Sequence, residues 1–131
     1  MRQQIQRRIR FRQAAVLGAV LVAGIALASP SNKWRIEVSG GADSEGTILL
    51  NVVPEGQVAV VVTVQVPKGT SENRVAKLIR EALKARVGDR YATEVDDGED
   101  VLVKKRRGSP MVEVSLAGNT VDGVRLRFDR E

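Results

Sequence analysis

Four carboxylates crowd one short stretch of this sequence: Asp96, Asp97, Glu99 and Asp100 surround Gly98. A hard cation such as calcium needs several carboxylate oxygens at once, and this stretch offers them. Two such groups facing each other across a cleft could also act as the acid and base of glycoside hydrolysis. The spacing does not follow the twelve-residue EF-hand loop, whose closing glutamate is missing. Asp-Gly is also what a tight hairpin turn selects for its backbone alone. Acids on an exposed turn lack the burial that raises a general acid's pKa. A calcium-dependent or carboxylate-based hydrolase-like module at Asp96–Asp100 is therefore the alternative reading, and a charged turn the simpler one.

The dense basic run Lys104-Lys105-Arg106-Arg107 could touch a polyanion such as envelope lipid headgroups or an acidic glycan. Strand alternation would divide it between two faces, with Glu94 and the turn acids close by. The simpler reading is a solvated cluster that protects a sheet edge. A third stretch, Pro67-Lys68-Gly69-Thr70-Ser71, joins an apolar run to a helical pattern, and helix N-termini can hold anions. It lacks the first glycine of a nucleotide-binding P-loop and reverses its Gly-Lys order. A turn followed by a helix cap explains it.

The chain has no histidine and no cysteine. Ser-His-Asp triads, Cys-His dyads and the usual zinc sites are thereby excluded. A Ser-Lys pair remains open, but no spacing singles one out. With no catalytic constellation and no cofactor motif, the sequence points to a protein that binds.

What positions these residues is a strand-and-helix unit. Val58 to Val66 (VAVVVTVQV) alternates, with Val58, Val60, Val62, Val64 and Val66 on one face, as β-branched residues in an extended chain do. Pro67 stops the strand. From Ser71 or Thr70 as cap, Val75, Leu78, Ile79, Ala82 and Leu83 form the buried stripe of an amphipathic helix that ends near Gly88. Before this unit, WRIEVS (Trp34 to Ser39) and TILLNVV (Thr47 to Val53) read as strands, the second forming a hairpin with the valine strand. After it, Tyr91–Val95, Val101–Arg106, Met111–Ala117 and Gly123–Asp129 read as a four-stranded meander. The expected fold is α+β, with a single amphipathic helix packed on one mostly antiparallel sheet of six to seven strands in the order β-β-β-α-β-β-β-β.

The N-terminal 28 residues differ in kind. Five arginines and no acid precede or flank Ala14–Ala28, an uncharged apolar run ending in Ala26-Leu27-Ala28. As a helix this run would span about 22 Å, short against a hydrocarbon core of about 30 Å. Residues 1–28 thus read as a signal peptide or an uncleaved signal anchor, 29–33 (SPSNK) as a mobile polar spacer and 34–131 as one domain. Either version exports the body to a periplasmic or extracellular location, with membrane contact only through residues 14–28 if they are retained.

Beyond Ala28, the remaining 16 basic residues equal the 16 acidic ones. A neutral body does not steer toward polyanions, and its few aromatics are scattered, so nucleic acid is not the expected partner. The expected function is that of an exported, non-catalytic binding or structural domain. It would act through protein–protein contacts at or outside the membrane, by an exposed edge strand or by a partly apolar face around Leu49 and Val61.

Overall fold

The computed structural model describes residues 29–131, so the export reading of residues 1–28 lies outside the described residues. Period-two hydrophobicity governs the strands as expected. In β1 (Lys33–Ser39), Trp34, Ile36 and Val38 are buried while Lys33, Arg35 and Glu37 face outward. Buried Ile48, Leu50 and Val52 line β2 (Gly46–Pro54), and Val62, Val64 and Val66 line β3 (Val60–Val66). The valine strand is shorter than its alternation suggests. Val58 lies before it and is 87% exposed, because the turn at Glu55–Gln57 has not yet brought the chain into register.

Helix α1 (Glu72–Val87) buries Val75, Ala76, Ile79, Leu83 and Val87 on one face. Ser71 occupies the N-cap with extended backbone, but its side chain makes no capping bond. The Thr70 hydroxyl donates instead to the Pro67 carbonyl at 2.6 Å. Glu72 turns back to accept the Gly40 N–H at 2.7 Å, which ties the helix start to the end of β1. Gly88 closes the helix, donating its N–H to the Lys84 carbonyl.

Strands β4 (Tyr91–Asp96), β5 (Asp100–Lys105), β6 (Val112–Asn119) and β7 (Arg125–Arg130) complete the expected element order. Their pairing differs from a single-sheet meander. The fold is α+β with seven strands in two antiparallel sheets, one ordered β4-β5-β1-β7 and the other β3-β2-β6. Of the second half, only β4 and β5 form a hairpin; β6 crosses to β2 and β7 to β1.

The reason is coverage. One helix about 10 Å wide shields roughly two strands spaced about 4.8 Å apart. Seven strands in one sheet would leave most of their apolar face wet, whereas two sheets bury each other's. Their inner faces and α1 share one core cluster. The helix rests on β3 and β4, edge strands of different sheets, and closes that side of the sandwich.

Residues 29–33 are attached rather than loose. Ser31 forms a two-way backbone bridge with Val112, at 2.8 and 3.0 Å, and β1 already begins at Lys33.

Candidate functional site

The acidic stretch falls where its chemistry predicts a turn. Asp97 (φ 52°) and Gly98 (φ 84°) adopt successive left-handed conformations between β4 and β5, the backbone that a tight hairpin demands. This leaves Asp96 and Asp100 directly opposite each other on the outer face, an arrangement that would repel if left alone.

Arg35 resolves the repulsion from the neighbouring strand. Its Nη1 donates to Asp100 Oδ2 at 2.7 Å and to Asp96 Oδ2 at 3.1 Å, and its Nε to Glu131 Oε2 at 2.6 Å. Lys33 adds a second cation to Glu131 at 3.2 Å. The hydrogen bonds that Arg35 donates to Glu131, then to Asp100 and Asp96, hold its guanidinium above its usual basicity. The bonds from Arg35 and then Lys33 hold the Glu131 carboxyl below the usual carboxylate range. Arg35 registers with Leu102, which is 4% exposed although it faces outward; the stems of long neighbouring side chains cover it.

Two of the four proposed calcium ligands therefore serve a guanidinium that sits where a cation would. Among the described residues, no group of three or more acidic side chains is arranged to hold a metal ion. Asp96 and Asp100 lie on the outer sheet face and Asp97 and Glu99 in the turn, and none of the four lines the clefts beside Pro67.

The run Lys104–Arg107 is divided by the end of β5 at Lys105, which leaves Arg106 and Arg107 in the loop beyond the strand. Lys104 on the outer face pairs with Glu94 at 2.8 Å. Arg106 Nε donates to the Gly88 carbonyl at the end of α1, 2.9 Å away, and Arg107 is exposed in the following turn.

Charge is segregated along the sandwich in a way that composition conceals. Register places the start of β1, the end of β5 and the start of β4 at one end, with the Pro54 turn and the end of α1. There Lys33, Lys84, Arg86, Arg90, Lys105, Arg106, Arg107 and Arg130 outnumber Glu55, Asp89, Glu113 and Glu131. Backbone bonds among Ala42, Asp43, Gly69, Thr70 and Asp122 gather the opposite loops. Asp43, Glu45, Glu72, Asp97, Glu99 and Asp122 there outnumber Lys68, Arg74 and Arg125. The neutral body is thus an end-to-end dipole, and an argument from total charge alone misses it.

The turn Pro67–Ser71 borders an open cleft of about 370 Å³ lined also by Arg74 and Leu78. Two of its amides are already engaged. Gly69 N–H donates to the Ala42 carbonyl and Thr70 N–H to the Pro67 carbonyl, so the turn serves as a turn. A shallower cleft of about 260 Å³ lies beside it between Glu45–Thr47 and Gln65–Pro67. Neither holds a catalytic grouping.

No protein-family model matches this chain, and no curated protein does.

The remaining unusual surface belongs to the three-stranded sheet. Its outer face carries Leu49, Asn51, Val53, Val61, Thr63, Gln65 and Ser115 and one charge, Glu113 opposite Val53, in contrast to the ion-paired face of the other sheet. Val61 is 44% exposed there. Strand β6 forms the far edge. Val112 spends its N–H and carbonyl on Ser31, which means that Val114 and Leu116, two and four residues on, also turn theirs away from β2. They face β7, whose Leu126 and Phe128 are half-buried and turn their main-chain groups outward by the same alternation. No ladder joins β6 to β7. Leu116 sits opposite fully buried Leu50, yet it is 41% exposed along this seam.

Sequence reasoning marked Leu49 and Val61 but not Leu116 or Arg35. Leu116 alternates like a core residue, and Arg35 like any wet-face residue, so no local signal sets either apart. Trp34 and Tyr91 are buried, the first bonded to the Val112 carbonyl and the second to that of Pro110, and give no platform for stacking on bases.

Proposed function

We propose that this chain is a small, exported, non-catalytic binding domain that acts through protein–protein contacts made by the β3-β2-β6 sheet. The observation that carries the reading is Leu116. It is a large apolar side chain on an inward register position, left in solvent beside main-chain groups of β6 and β7 that join no ladder among the described residues. An extended segment of a partner could add to the β6 edge, gaining ladder hydrogen bonds and covering Leu116 with alternate apolar side chains. The sheet face around Leu49 and Val61 would widen the contact. Export rests on the sequence of residues 1–28. Among the described residues, no helix is long and apolar enough to cross a membrane.

The test exploits the absence of cysteine, which lets Leu116→Cys carry a crosslinker at one position only. Crosslinking in the native host should trap a defined partner through residue 116. With the crosslinker moved to the adjacent, exposed Ala117→Cys, Leu116→Asp should abolish capture without lowering Tm, while Lys104→Glu on the opposite sheet leaves it intact. Equal loss from both variants, or equal capture by both, would count against this surface. A reporter that becomes active only after export, fused behind residue 131, tests the location separately.

A further inference from the structure

The chain enters the domain at its basic end. Ser29, the first described residue, donates its N–H to Glu113 Oε2 at 3.0 Å, and Ser31 is bridged to Val112. Asn32 accepts the Lys105 N–H at 2.8 Å, so the segment that follows the apolar run Ala14–Ala28 lies directly against the strand that delivers Lys105, Arg106 and Arg107. Arg106 is joined in turn to the close of α1, through its N–H to the Arg90 carbonyl and its guanidinium to the Gly88 carbonyl. The basic groups of the helix end and of the β5–β6 loop thereby share one platform.

We infer that this platform docks the domain onto the anionic headgroup surface of a lipid bilayer. Distance is the first argument. From Ala28 to the bridge at Ser31, a fully extended chain reaches only about 10 Å. When the apolar run engages a bilayer, this reach is comparable to the Debye length at physiological salt, roughly 8 Å. Electrostatic attraction is then reduced by screening but still acts.

Polarity is the second argument. The far end carries Asp43, Glu45, Glu72, Asp97, Glu99 and Asp122, so an anionic surface attracts one end and repels the other. The resulting torque selects one orientation. Each cation brought to such a surface adds about 1 kcal/mol, equivalent to about fivefold in occupancy. A few cations hold an untethered domain poorly but can orient a tethered one. The docked state leaves the β6 edge and the sheet face around Leu49 and Val61 pointing sideways, free for another contact.

The experiment uses the full chain in vesicles of phosphatidylcholine, with or without phosphatidylglycerol. A fluorophore is placed at Ser109→Cys beside the platform or at Asp122→Cys at the far end, and nitroxide-headgroup lipids act as the quencher. In phosphatidylglycerol vesicles the label at 109 should be quenched and the label at 122 spared. The difference should collapse in pure phosphatidylcholine and at high salt. Arg107→Glu should reduce quenching at 109 by at least about fivefold, the effect of one lost cation, while Arg107→Lys retains it. Among the described residues the Arg107 side chain makes no hydrogen bond or ion pair, and melting curves check that both variants are folded. Equal quenching at both ends, or undiminished quenching at 109 in neutral vesicles, would overturn the proposal. Displacement by inorganic phosphate too dilute to alter screening would also overturn it, in favour of a discrete phosphate site.

Discussion

The indole N–H of Trp34 donates to the main-chain carbonyl of Val112 at 2.6 Å, a side-chain bond that runs from β1 of one sheet to β6 of the other. The same carbonyl accepts the Ser31 N–H. One atom therefore joins the two sheets and the segment by which the chain enters. Trp34→Phe keeps an aromatic ring but gives up the bond and some volume, and should cost about 1–3 kcal/mol. Trp34 is the sole tryptophan, so in the wild-type protein its fluorescence should report the joining of the sheets directly. Denaturant titrations of the wild type by fluorescence and of both proteins by circular dichroism provide the measurement.

Arg35 should matter more than a surface arginine ordinarily does, because it separates Asp96, Asp100 and Glu131. Arg35→Gln should lower Tm, on the order of several degrees, with the loss shrinking as acid or salt relieves the remaining repulsion. Arg35→Lys should recover only part, since one ammonium cannot reproduce the forked geometry. A Tm difference that is indifferent to salt would point to packing over Leu102 instead of charge.

The Glu131 carboxyl provides an acid limb of known sign. Its folded pKa lies below the ordinary value through bonds from Arg35 and then Lys33, so the unfolded chain binds the proton first as pH falls. Its contribution is complete above the unfolded carboxylate range and is lost as pH drops through the lower folded value. Melting curves of the wild type and Glu131→Gln should therefore converge in acid and stand apart at neutral pH.

Tyr91 sets the opposite limb. Burial pushes its phenol above the usual value, against a smaller lowering by the Arg90 charge, and its hydroxyl donates to the Pro110 carbonyl at 2.9 Å. Stability should be unaffected by this group below the ordinary tyrosine range near 10. It should fall as pH climbs from there toward the raised folded value, because the unfolded chain loses the proton first. Tyr91 is the sole tyrosine, so tyrosinate absorbance should rise together with unfolding. Ionisation well before unfolding would contradict the buried, bonded hydroxyl.

Thr93 offers a stabilising substitution. Its Oγ1 is buried and has no hydrogen-bond partner among the described residues, on a strand that packs beneath α1. Thr93→Val replaces the unpaired hydroxyl with a methyl of similar shape and keeps the β-branch. It should add about 1 kcal/mol, raising Tm by roughly 4–8 °C. A fall in Tm would show that the hydroxyl has a partner in solution.

Sequence alone determined the element order, because each element carries its own period. Alternation in WRIEVS and the valine strand, and the Val75–Ile79–Leu83 stripe, are local consequences of which face is buried. It also determined which chemistries were excluded, since side chains that are absent cannot act. Tertiary structure decided the rest, for two physical reasons. Period two fixes which face of a strand is apolar but not which strand lies beside it; the partition into two sheets followed from the area one helix can cover. Charges, in turn, act through space. Arg35 meets Asp96, Asp100 and Glu131 across 61, 65 and 96 residues of chain. A body neutral by count became basic where the chain enters and acidic at the far end. The carboxylates around Gly98 thus looked like a cation site in sequence because their own cation, Arg35, lay too far along the chain to be associated with them.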